Sequence, residues 1–241
     1  MQKSDLACMS WREAAELFSK VDTVLLPVGS VEQHGPHNPL GTDYLIAAAL
    51  AAEAGRRAGV PVLPVVPYGV SVHHSAFPGT IWVREEVLKE YLRDVIRSLK
   101  QHGVRKVVVV NGHGGNLQAI MSLAREMRQE GVLVVAYQWW TLPELGKLFS
   151  KEELGHAAAV ETSLNLYLNA SCVDISKAVD EQPASLPTDG LGYFPDFTHD
   201  RTKSGVFGTA TTSSREKGAE VFRLAVEALV KLVEQVRSMK V

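Results

Sequence analysis

The chain has 241 residues, 46% of them hydrophobic, with 25 basic against 27 acidic side chains for a net charge of −2. That length suits a single α/β domain over residues 1–241 rather than two small ones, and the near-neutral charge argues against a nucleic-acid partner. No apolar run is long enough to cross a bilayer, Met1-Gln2-Lys3-Ser4-Asp5 lacks the apolar segment of a signal peptide, and Cys8 and Cys172 fit no metal or redox spacing, so a reducing cytoplasm is expected.

Helical and strand patterns alternate along the chain. Ser10 to Phe18 reads as a short helix capped by Ser10, and Thr23 to Val28 as a buried strand. Tyr44 to Arg57 is Ala-rich and helical, with Asp43 where an N-cap belongs. Pro61 to Val66 reads as a short strand. Arg84 to His102 is an amphipathic helix that stops at Gly103. Val104 to Val110 ends in four consecutive valines, apolar on both faces, as a central parallel strand requires. Leu117 to Glu130 is helical, Val132 to Tyr137 a strand, Ala157 to Leu168 helical, and Ser214 to Met239 a long terminal helix. This alternation predicts a mostly parallel sheet with helices on both faces. Ligands of such sheets bind outside the carboxyl ends of the strands, and polar segments follow Val28, Val66, Val110 and Tyr137. Asp180 to Gly208 is the least regular stretch and reads as a linker or as a loop covering a site.

Those polar segments hold the residues suited to chemistry. Glu32-Gln33-His34-Gly35-Pro36-His37 with Gly41-Thr42-Asp43 packs carboxylates and imidazoles into a rigid turn, and divalent metals of intermediate softness take such donors. Asn111-Gly112-His113-Gly114-Gly115-Asn116 places His113 at the end of the valine strand, on a loop without the Lys-Ser/Thr ending of a phosphate loop. His156 precedes a helix, and Glu161 stands five residues later among apolar positions, where a carboxylate is costly unless paired or metal-bound. Glu32, His34, Asp43, His113 and Glu161 thus suit a two-metal hydrolytic site with Asp43 as the bridge, and His156 suits acid–base work on the leaving group. Of the adjacent His73 and His74, one at most is expected to face the site, and His74 is the candidate for substrate contact. Trp139 and Trp140 are further candidates to line the pocket, and Arg201 and Lys203 could meet an anionic group.

The segments LLPVGSVEQHGPHNPLGTD (25–43), YGVSVHHSAFPGT (68–80), VVVVNGHGGN (107–116), GHAAAVETS (155–163) and GVFGTATTSSREKG (205–218) resemble, in order, motifs of the creatininase (creatinine amidohydrolase) family. The resemblance implies a three-layer α/β/α sandwich, a centre of two divalent ions and hydrolysis of amide or cyclic amide bonds of a small substrate. Zinc is the first expectation, with manganese or iron as alternatives. It also implies a homo-oligomer, commonly a hexamer, while charge and hydropathy lead to the expectation of no nucleic-acid or membrane partner. By position, Glu32 and His113 match ligands of one metal, His34 a ligand of the other, Asp43 the bridge and His156 the catalytic histidine. Creatininases proper carry a metal-binding glutamate two residues after the histidine of the NGH motif. Gly115 stands there in this chain, and Glu161 is the expected replacement. That departure points away from creatinine, towards an amidohydrolase of another amide, a peptidase trimming a precursor peptide, or a hydrolase of a cyclic diketone. A metal-binding scaffold without turnover is the alternative of another class.

Overall fold

Strands β1 (Thr23–Val28), β2 (Lys106–Asn111) and β3 (Leu133–Gln138) pair in parallel in the order β1-β2-β3 in the computed structural model, which describes residues 4–185, 192 and 194–241. The register aligns Val28 with Asn111 and Asn111 with Gln138, so all three strands end at one edge. β1 and β2 are buried along their whole length, which is why they read as unbroken apolar runs.

Successive side chains of each strand point to opposite faces, and two cores result. Leu25, Val108, Val110 and Tyr137 pack against α2 (Thr42–Ala58), α5 (Ala159–Leu168) and α7 (Arg215–Ser238). Val24, Leu26, Val28, Val107, Val109 and Val134 pack against α3 (Glu85–Gln101) and α4 (Leu117–Gln129). The arrangement is the expected α/β/α sandwich. Leu88, Leu92, Ile96 and Leu99 form the buried stripe of α3, and each contributes roughly 1.5–3 kcal/mol by leaving water. α7 sits very close to α5, because an ideal Cβ on Gly218 would lie 1.9 Å from the Ser163 main-chain oxygen.

Local chemistry sets the boundaries. Helix α1 (Trp11–Phe18) starts on a capping box in which Glu13 N–H donates to Ser10 Oγ and Ser10 N–H to the Glu13 carboxylate. The stretch 61–66 is not a full strand. It runs beside β1 with isolated bridges at Val62 and Val66, because Pro61 and Pro64 have no N–H to donate. A short helix, α6 (Thr198–Arg201), lies within the irregular stretch after Asp180.

Candidate metal centre

The site forms at the carboxyl edge of the sheet. The turn after β1 carries Ser30, Glu32 and His34, all buried. Ser30 Oγ lies 2.5 Å from Glu32 Oε2 and 2.9 Å from Asp43 Oδ2, holding two carboxylates together. Asp43 does not cap α2 as its sequence position suggested. Gly41 occupies the cap position, and Asp43 sits in the first turn with its carboxylate turned into the site, where the positive end of the helix favours an anion. After β2, His113 N–H donates to Asn111 Oδ1 (3.2 Å), Asn111 Nδ2 donates to the His113 carbonyl (2.7 Å), and Asn116 Nδ2 donates to the Gly29 carbonyl (3.0 Å). These two asparagines fix the loop. Ser30, Asn111 and Asn116 were not singled out from sequence, where only proximity to the motif histidines marked them.

The buried groups divide around Asp43. His113 Nδ1 lies 2.9 Å from Glu32 Oε2 and 3.1 Å from Asp43 Oδ2. His34 Nε2 lies 3.0 Å from Asp43 Oδ1 and 3.7 Å from Glu161 Oε2. Two triads share Asp43, one of Glu32, Asp43 and His113 and the other of His34, Asp43 and Glu161, and Glu32, His34 and His156 form a third group, the donor atoms of each lying within 4.8 Å of one another. Each imidazole is oriented from behind. His113 Nε2 is 3.1 Å from the Val70 carbonyl and His34 Nδ1 is 3.3 Å from the Glu32 carbonyl. N–H donation to those carbonyls leaves the facing nitrogens as lone pairs, as a metal ligand requires.

Glu32 Oε1 and His34 Nε2 are buried with no well-aligned hydrogen bond, their near contacts being His74 Nε2 at 3.2 Å and Asp43 Oδ1 at 3.0 Å, a costly state for groups removed from water and one that a coordinated cation would relieve. The electrostatics agree. Burial alone would depress His34, but Asp43 beside it pushes it up to about 10. His113 is likewise buried yet is held well above the usual imidazole range by Glu32 and Asp43. Burial raises Glu161 to about 7. Clustered carboxylates thus demand positive charge at this spot, and the donor set fits two borderline divalent ions.

Glu161 owes its placement to a strained residue. Ala157 adopts the left-handed φ of 55°, the one non-glycine to do so among the described residues, at a cost of roughly 1–2 kcal/mol. Its N–H reaches Glu161 Oε2 at 2.7 Å. For this reason α5 begins at Ala159 rather than at Ala157, as the apolar pattern suggested. Just before it, His156 has its Nε2 3.0 Å from the Gln33 carbonyl and its Nδ1 3.9 Å from Glu32 Oε1. The rings of His34 and His74 lie 4.5 Å from it on two sides. Burial, followed by these two imidazoles, holds His156 well below the usual range.

Other expectations need correction. Both His73 and His74 line the cavity. His74 stands behind Glu32, with Nε2 3.2 Å from Oε1 and Nδ1 2.8 Å from Thr198 Oγ1, and His73 stacks on His113 at 5.4 Å. Trp139 does not face the cavity. It is 1% exposed and belongs to the core, and Trp140 lines the cavity instead, since neighbouring side chains leave the backbone in different directions. Arg201 is outside the cavity lining, held by Asp196 and the Ala184 carbonyl, and Lys203 is exposed.

Gly115 could not carry the glutamate that the family resemblance leads one to expect there. An ideal Cβ would lie 2.2 Å from the Val70 carbonyl oxygen and 2.6 Å from His113 Nε2. Gly115→Glu should therefore destabilise the protein by roughly 1–3 kcal/mol and add no ligand. Urea denaturation together with zinc analysis checks this, and a variant of unchanged stability would contradict the geometry.

A layered α/β fold with a buried cage of carboxylates and imidazoles at its strand ends defines a metal-dependent hydrolase. Residues 7–233 match the model of the Creatininase family, described as creatinine amidohydrolase. The chain belongs to that family and is an amidohydrolase. It is 31% identical to the creatinine amidohydrolase of Pseudomonas putida over 248 residues, covering 94% of this chain and 95% of the relative. It is 33% identical to the mycofactocin precursor peptide peptidase of Mycolicibacterium smegmatis over 213 residues, covering 86% and 82%. A crystal structure of creatinine amidohydrolase (creatininase) superposes with a TM-score of 0.86 at 30% identity, covering 100% of both chains. Similar creatininase structures include a zinc–zinc form and a manganese form.

Proposed function

We propose that this protein hydrolyses an amide or cyclic amide C–N bond of a small substrate at two divalent ions, with Glu32, Asp43 and His113 holding one and His34, Asp43 and Glu161 the other. The observation that carries this reading is the division of Asp43, whose Oδ2 faces His113 and whose Oδ1 faces His34. Held by these side chains, divalent ions would polarise the scissile carbonyl and bring the pKa of a water towards neutrality. Zinc suits this mixed donor set best, with manganese or iron as alternatives, and the zinc–zinc and manganese forms among similar structures support that choice.

The chain's own side chains do the rest. His156 Nε2 contacts Gln33, 2.8 Å from its side-chain Nε2 and 3.0 Å from its carbonyl, and Nδ1 is the nitrogen left on the side of Glu32, 3.9 Å from Oε1. That nitrogen takes a proton from the attacking water and hands it to the leaving nitrogen. Ser30 and His74 keep Glu32 and Asp43 aimed. Trp140, Leu154, Val160 and Phe207 give the cavity, about 390 Å³ in volume, an apolar wall that limits water around the reacting bond. That volume suits a small molecule or the end of a peptide. A homo-oligomer, with a hexamer favoured, belongs to the same reading, and the exposed Tyr68, Val87 and Tyr91 around one surface groove offer a contact for it. Cys8 and Cys172 at the surface suit a reducing cytoplasm.

Glu161→Ala tests the assignment least supported by family position. Elemental analysis should show metal content falling from two equivalents to one, with turnover of formamides, lactams and short peptides reduced in parallel. A variant that keeps both equivalents would remove Glu161 from the ligand set.

A further inference from the structure

Beyond the metal-binding groups, the charge that lines the cavity is of one sign. Asp196 is on the wall, and no Lys or Arg lines the cavity among the described residues. The nearest cation is already engaged. Arg201 Nη1 lies 3.3 Å from Asp196 Oδ2, its Nε donates to the Ala184 carbonyl at 2.8 Å, and its guanidinium sits 5.5 Å over the Phe207 ring. Arg201 thus fixes Asp196 from behind. Oδ1 of Asp196 has no hydrogen-bond or ion-pair partner among the described residues, and the side chain is 28% exposed. Trp140 and Phe207 line the same cavity.

Asp196 lines the same cavity as Glu32, Asp43, His113 and Glu161, so the remaining part of a substrate whose scissile bond sits at the cage would share the cavity with Asp196. A phosphate or carboxylate there would meet a fixed carboxylate whose one close cation, Arg201, is already taken up by Asp196, Ala184 and Phe207, and like charges brought together in a partly desolvated site are disfavoured. An N–H group would meet an acceptor already held in place, and a charged one would gain more.

We propose that Asp196 determines specificity by accepting a hydrogen bond from an amino, ammonium or amide N–H on the distal part of the substrate, so that the substrate class is neutral or cationic amides and excludes phosphorylated and carboxylated ones. This rests on the hydrolytic reading of the metal centre.

The test is equilibrium binding of three matched amides to the zinc-loaded and the zinc-free protein, followed by ligand-observed NMR. The probes are 3-aminopropanamide (cationic), butanamide (neutral) and 3-sulfopropanamide (anionic). The wild type should bind the cationic probe about tenfold more tightly than the neutral one and the anionic probe most weakly, as pairing in a part-exposed site allows. Asp196→Asn removes the carboxylate and releases Arg201, so it should abolish the cation preference and strengthen anion binding. Asp196→Lys should invert the order, and zinc content should stay unchanged in both variants. An identical ranking in all three proteins, or an anionic probe bound most tightly by the wild type, would overturn the assignment. A protein that ranks the probes by charge yet takes up no zinc would instead sink the metal-centre reading and leave that of Asp196 standing.

Discussion

Asp43→Ala should strip both metal equivalents from the protein and reduce amide hydrolysis at least about 10³-fold, a loss of several kcal/mol of transition-state stabilisation. No other side chain is common to the two triads assigned to the ions. His113 Nδ1 lies 3.1 Å from its Oδ2 and His34 Nε2 3.0 Å from its Oδ1, so its removal opens both halves of the cage. It would also leave Ser30 Oγ with Glu32 as its one remaining carboxylate contact. Elemental analysis after gel filtration reads the first effect and turnover of a formamide or lactam panel the second. Retention of one full equivalent would show that Asp43 belongs to one ion alone.

His156→Ala should behave in the opposite way, keeping both metals while kcat falls about 10²–10⁴-fold, the range for loss of a positioned acid–base group. The ring lies beside the triads, with Nδ1 3.9 Å from Glu32 Oε1 and a ring-to-ring distance of 4.5 Å to His34. Its Nε2 contacts are both with Gln33, the side-chain Nε2 and the carbonyl. KM should change far less than kcat, because the proposed role concerns proton transfer rather than substrate affinity. Full turnover in this variant would move the acid–base role to another group. Loss of metal along with activity would make His156 a ligand.

The layered fold was legible because burial on both faces leaves an unmistakable mark. Val107 to Val110 has no polar alternation and can sit only in a covered strand, and the 88, 92, 96, 99 stripe of α3 has helical spacing. The stretch around Pro61 misled because apolar content survives where hydrogen-bonding capacity does not. The cage residues were legible for a different reason. Buried carboxylates and imidazoles are expensive, and their occurrence after successive apolar strands asks for a compensating charge.

What the sequence concealed was direction. Nothing in Trp139-Trp140 tells which indole enters the core, and nothing in His73-His74 shows that both reach the cavity. Asp43 at the start of a helix looks like a cap until the neighbouring chain supplies Ser30. Ala157 gave no sign of a left-handed backbone, a conformation imposed by the tertiary setting around His156 and Glu161. Gly115 read as a missing ligand, and the structure adds that Val70 leaves no room for one.

Anomalous diffraction from crystals of the metal-loaded protein addresses the central claim most directly. The account predicts two peaks roughly 3.5–4 Å apart, one against Glu32 and His113, the other against His34 and Glu161, and both in contact with Asp43. A single peak, or a pair that leaves Asp43 or Glu161 untouched, would contradict it.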